Sequence, residues 1–236
     1  MMSRPLHWFD HIWNAVGTSC ARECCAMFVL RRDLSVLKHL QAGTRVLVGP
    51  SDLFGSHVPD PIIRDILLIM ARNPRLRFRV LTRNAYRMEQ WFGCWASSEL
   101  QQMVEDWPLV NVELGVLIRD QDSADSYVGA LVATPAQHRF IVVDRLKGEV
   151  DLEEMTCPAG VYSQDQMRAC SICVGTEPPI CQDGNYNALR EGIDEVILAA
   201  PVLGPGHSDE PAWRGNIIGQ CNKNNVSIFR PRPPNP

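Results

Sequence analysis

Residues 111–144 read NVELGVLIRDQDSADSYVGALVATPAQHRFIVVD. The opening run, 111–118, is apolar and β-branched and has the length of a buried strand. The stretch 122–135 then sets Ala124, Tyr127, Val128, Leu131 and Val132 at helical spacing and stops before Pro135. A second strand-like run, 139–144, follows at once. Strand, helix, strand in so few residues is the unit of a parallel sheet, because parallel neighbours need a crossover between them.

The same rhythm extends in both directions. Runs 44–49, 76–82, 194–200 and 226–230 share the Val/Ile-rich character of buried strands. Between the first two, Asp60 reads as an N-cap and Pro61 as the first helical residue. The stripe Ile62, Ile63, Ile66, Leu67, Ile69 and Met70 then runs to the stop at Asn73-Pro74. Before the last run, Ser208 caps a segment that puts Trp213, Ile217 and Cys221 on one face, weakened by two interior glycines. The pattern predicts an α/β fold, and in either an open sheet or a barrel the ligands lie at the carboxyl ends of the strands. The polar residues there are Ser51-Asp52, Thr82-Arg83, Arg119-Asp120-Gln121, Asp144-Arg145 and Arg230.

Two segments break the rhythm. Residues 151–187 lack an amphipathic period and hold Cys157, Cys170, Cys173 and Cys181, which reads as an insertion. The end, RPRPPNP, can propagate neither a helix nor a central strand, so 231–236 is read as an extended tail. Single-domain organisation over 1–230 is the expectation.

Composition narrows the functional classes. The 236 residues are 45% hydrophobic and 21% charged, ordinary values for a globular chain. A net charge of −4 gives no electrostatic reason for an obligatory nucleic-acid or anionic-membrane partner. No run of 18 apolar residues occurs, and the N-terminus lacks the apolar core of a secretory signal. Nine cysteines without an export signal point to a reducing compartment, cytoplasmic or similar, where clustered thiols bind metal or stay free.

Several phrases, taken in order, are similar to a known family. They are SDLF (51–54) with VPD (58–60), RFRVLTRNAYRM (77–88), WPLVNVELGVLIRDQDSAD (107–125), ATPAQHRFIVVDRLKGEVDL (133–152) and GIDEVILAAPVLGPG (192–206). Together they resemble the phage-associated family of uncharacterised three-cysteine proteins, grouped with the radical-SAM-type partial barrels. The resemblance implies a partial (β/α)6 TIM-like barrel of parallel strands with a short first strand near His7–Asn14. It also implies a cysteine loop ligating a [4Fe–4S] cluster, with S-adenosylmethionine bound at the open iron. The cofactor would lie near Ser51, Asp52, Thr82, Arg83, Asp120 and Gln121.

The chain departs from that pattern at several loops. Its cysteines are Cys20, Cys24 and Cys25, and the side chains of the adjacent pair diverge. Ala199-Ala200-Pro201-Val202-Leu203 stands where the family has a glycine-rich acidic loop. Asp144-Arg145 replaces Glu-Pro, and Phe229-Arg230-Pro231-Arg232 replaces the closing Phe-Lys-Gln-Trp phrase.

Each candidate carries two readings. Cys20, Cys24 and Cys25 hold an iron–sulfur cluster or are free thiols of a shortened loop. Cys157, Cys170, Cys173 and Cys181 form a structural zinc site or lie in a loop with free thiols. Arg75, Arg77 and Arg79 share a strand face and either bind a phosphate or carboxylate ligand, or pair with helix carboxylates or lie near a strand end. Asp52 contacts a ligand or organises a turn, and Asp120 and Gln121 contact a ligand or cap the next helix. His7 and His11 give a weak metal spacing, and Cys94 and Cys221 remain unassigned. Two functions follow: a radical-SAM-type enzyme, or a pseudoenzyme barrel that serves as a binding or structural subunit of an assembly, with zinc in the insert.

Overall fold

The computed structural model describes residues 8–18, 28–30, 34–93, 95–156, 185–199 and 210–230. Cys20, Cys24, Cys25, Cys94, Cys157, Cys170, Cys173 and Cys181 lie outside them, as do His7, Ser208, the loop 200–203 and the tail 231–236.

The elements run β1 (His11–Trp13), β2 (Val16–Thr18), β3 (Phe28–Leu30), α1 (Ser35–His39), β4 (Arg45–Val48), α2 (Asp60–Ala71), β5 (Arg77–Thr82), α3 (Ala85–Phe92) and α4 (Trp95–Met103). They continue with β6 (Val112–Ile118), α5 (Gln121–Ala133), β7 (His138–Val143), β8 (Met155–Thr156), β9 (Asn185–Tyr186), β10 (Glu195–Leu198), α6 (Glu210–Lys223) and β11 (Ser227–Phe229). Seven strands form one sheet in the order β1-β4-β5-β6-β7-β10-β11, and the pairs β1·β4, β4·β5, β7·β10 and β10·β11 are parallel. All six strand-like runs of the sequence are in it, joined by the short first strand. The fold is mixed α/β with helices alternating along a mostly parallel sheet, as a partial-barrel chain requires.

Contacts divide the chain into two compact units, Met1–Gly115 with Pro135–His138, and Val116–Thr134 with Arg139–Pro236. In the first, β4 lies in register with β1 on one side (Trp13↔Val48) and β5 on the other (Val48↔Val80). α2 begins at Asp60 itself, with Pro59 at the cap and no side-chain cap bond, so the expected Asp60 N-cap shifts by one. Asp60 instead pairs with Arg87 of α3 at 2.9 Å. Its apolar stripe is buried through Ile63, Ile66, Leu67, Leu68 and Met70. Beside it, Phe54, Trp91, Phe92 and Trp107 form a chain of ring contacts at 5.2–6.4 Å.

Asn111 locks this unit from the end of a loop. Its buried side-chain amide donates to the carbonyls of Met70, Asn73 and Leu76 at 2.9, 3.2 and 3.3 Å. These acceptors lie at the α2 end and in the turn into β5, where the Met70 and Asn73 carbonyls also accept the N–H groups of Asn73 and Leu76.

In the second unit, β10 pairs with β7 (Val196↔Ile141) and β11 (Val196↔Ile228). Asp120 caps α5 with a reciprocal Ser123 bond, the role the sequence favoured for it. At the other end of α5, the Arg139 guanidinium donates to the carbonyls of Leu131 and Thr134. The insert leaves and re-enters through the antiparallel pair β8·β9 (Met155↔Tyr186). α6 holds its first part: Gln220 bonds Val150 and Leu152 backbone atoms, and Lys223 and Asn224 bond Glu153.

Candidate functional site

The carboxyl ends of β4 and β5 meet on Asp52, just past the cis Gly49-Pro50 bond. Asp52 Oδ1 accepts from the Phe54 N–H at 3.0 Å and the Thr82 hydroxyl at 2.8 Å, and Oδ2 accepts from the Arg83 N–H at 2.8 Å. Thr82 Oγ1 in turn accepts from the Asn84 N–H at 2.9 Å, and Asn84 caps α3 through Arg87 N–H at 3.3 Å. Arg87 reaches back to the carbonyls of Gly55 and Val58. Four sequence-predicted residues, Ser51, Asp52, Thr82 and Arg83, are therefore brought together. Asp52 organises the turn, since its oxygens already hold three donors.

What remains free at this end is different. The Ser51 hydroxyl and the Arg83 guanidinium have no partner among the described residues, and Arg83 is exposed. At the end of neighbouring β1, the indole N–H of buried Trp13 and Asn14 Oδ1 are likewise unpartnered among the described residues. Neither was singled out as a site residue from sequence; their position directly after a strand was the available signal.

In the second unit, Asp120 and Gln121 follow β6. Asp120 accepts from the Ser123 N–H at 3.0 Å and lies 3.7 Å from Lys147 Nζ. Its carboxyl is held below the usual carboxylate range, first by the Ser123 side-chain and backbone bonds and then by Lys147. Gln121 is engaged at both ends of its amide: Nε2 donates to Asp125 and the Asp151 carbonyl, and Oε1 accepts from the Asp151 N–H at 2.7 Å. It fastens the start of the insert to α5. Arg119 Nη2 lies 3.4 Å from Asp144, which follows β7.

The three alternating arginines separate. Arg75 donates to the carbonyls of Leu37, Lys38 and Leu40 at the end of α1, a C-terminal cap. Arg79 and Arg77 converge on Glu113, at 2.7 and 3.6 Å. Arg79 also donates to the Trp8 carbonyl at 3.0 Å and stands 5.9 Å over the Trp8 ring. The carboxylate partner comes from β6, a strand residue, which a helix-pairing expectation did not name. His138 lies within 4.8 Å of the Glu113 carboxylate. His11 is partly buried in β1 with no metal partner set among the described residues.

Most of the chain has a counterpart among known families. The family described as Protein of unknown function (DUF5131) matches residues 26–231. The chain belongs to this family. The DUF5131 match takes in the strand ends at Ser51, Thr82, Arg119 and Asp144 and begins just after Cys25. No curated protein and no solved structure matches the chain. No helix among the described residues is long and apolar enough to cross a membrane.

Proposed function

We propose that this DUF5131 chain is a radical-SAM-like barrel protein that binds its ligand over the carboxyl ends of β1, β4 and β5. The reading is supported by one placement. β2 and β3, of which β2 follows β1 after two residues, pair antiparallel with Thr18 opposite Phe28, and Cys20, Cys24 and Cys25 lie between these two strands in sequence. In this reading those thiolates hold a [4Fe–4S] cluster in a reducing, cytoplasmic setting. Ser51, Arg83 and Asn14 supply the free polar contacts to S-adenosylmethionine, while Asp52 and Thr82 keep the loops in place. The cofactor supplies radical chemistry when bound.

The test is anaerobic purification with iron and sulfide reconstitution, followed by metal analysis and a visible spectrum. About four irons per chain and a brown chromophore lost in Cys20→Ser support the proposal.

A second reading has its own observation. Asp52, the one acidic group at these strand ends among the described residues of the first unit, is spent on three backbone and hydroxyl donors. That favours a pseudoenzyme barrel of phage-associated origin, kept as a binding or structural subunit. Zinc on Cys157, Cys170, Cys173 and Cys181 would order the insert. One zinc per chain and no iron after reconstitution decides for it.

A further inference from the structure

Three cations gather where β6 and β7 end. Arg119 follows β6, and Arg145 and Lys147 follow β7. Backbone bonds stitch the two connections together: Asp144 N–H donates to the Ile118 carbonyl at 3.1 Å, and Lys147 N–H to the Arg119 carbonyl at 2.8 Å. The nearby carboxylates do not saturate this charge. Asp144 stands 3.4 Å from Arg119, and Asp120 stands 3.7 Å from Lys147. Charge-assisted bonds close to about 2.7–2.9 Å, so both pairs are loose. Asp120 is in addition committed to capping α5.

Two groups are left over. Arg119 Nε is buried and has no partner among the described residues. A buried donor without an acceptor is costly, and a ligand oxygen would relieve it. Arg145 is exposed, without hydrogen bond or ion pair among the described residues, and sits at φ 51. A non-glycine residue is held there at a cost, although glycine would fit freely. Three cations against two carboxylates leave the cluster one positive charge in excess.

We propose that Arg119, Arg145 and Lys147 form a site for an oxyanion, the phosphate or carboxylate group of a small ligand. Planar guanidinium groups present paired donors that match the oxygens of either group. The place is also the one where ligands enter parallel α/β sheets, outside the carboxyl ends of the strands. The proposal does not depend on an iron–sulfur cluster.

The experiment is calorimetric titration of the full chain at low salt with inorganic phosphate, AMP and methionine as probes. Saturable binding of phosphate and AMP marks a phosphate ligand, and binding of methionine alone marks a carboxylate ligand; both support the site. Affinity should then fall about tenfold or more in Arg119→Gln, Arg145→Gly and Lys147→Ala. Arg145→Gly decides between a ligand-binding and a structural role. It removes the guanidinium while suiting the backbone, so binding should be lost with Tm unchanged or raised. No binding of any probe, or binding unaltered in both Arg145→Gly and Lys147→Ala, overturns the proposal.

Discussion

The Arg79 guanidinium and the Glu113 carboxylate meet at 2.7 Å with each side chain only 4% exposed. Burying both charges costs desolvation, and the pair recovers it only while both members are present. Arg79→Ala strands Glu113 beside the outlying Arg77 and should cost about 3–5 kcal/mol in urea unfolding. The double change Arg79→Met with Glu113→Leu should cost far less than the single one. If single and double variants lose the same stability, the pair is not coupled in the way the geometry indicates.

Asn111 donates through one amide nitrogen to the carbonyls of Met70, Asn73 and Leu76, the first two of which also accept a backbone N–H. Asn111→Ala should destabilise the chain by about 1–3 kcal/mol, because the buried amide that ties the α2 end to the turn into β5 is removed. Asn111→Asp should be worse still, turning a donor into a charge that faces carbonyl oxygens. Thermal unfolding of the two variants side by side checks the order.

The Asp52 network predicts that Thr82→Val harms the loop rather than the sheet. The change deletes the hydroxyl that donates to Asp52 and accepts from Asn84, a loss of about 1–2 kcal/mol. Amide exchange should quicken at Arg83 and Asn84 while β5 stays protected.

Acid sensitivity should be traceable to Asp120. Its folded pKa is depressed, chiefly by the Ser123 bonds, so the unfolded chain binds the proton more readily. The stability it contributes is complete above the ordinary carboxylate pKa and is lost as pH falls through the depressed folded value. In Asp120→Asn the acid limb of a stability–pH curve should flatten, and Ser123→Ala should shift it the same way.

Cys221 is buried on α6, and burial pushes its thiol up to about 12. Alkylation near neutral pH should leave it unmodified in the folded chain and label it once denatured. Peptide mapping by mass spectrometry reads both states.

The sheet was legible because six of its strands fall in Val/Ile-rich runs, and α5 because Asp120 and its periodic apolar residues agree with each other. α3 and α4 were not, since neither 85–92 nor 95–103 carries a long apolar stripe. The partners of the arginines could not be read either. Arg75 and Arg79 look alike in RLRFRV, yet one caps a helix end 35 residues upstream in sequence and the other faces Glu113. Such matches depend on how distant strands and helices are brought together, which local periodicity does not encode. The same holds for Arg119 and Lys147: each was only one polar residue after a strand until their two connections were joined through backbone bonds.

The β8·β9 pair, Met155 opposite Tyr186, brings together the two ends between which residues 157–184 run in sequence. Chain that departs and returns between paired neighbours can vary in length at little thermodynamic penalty, because loop-closure entropy grows only slowly with length. Residues 157–184 therefore occupy a natural grafting port, where sequence can be shortened, replaced or acquired while the register of β7, β10 and β11 is kept.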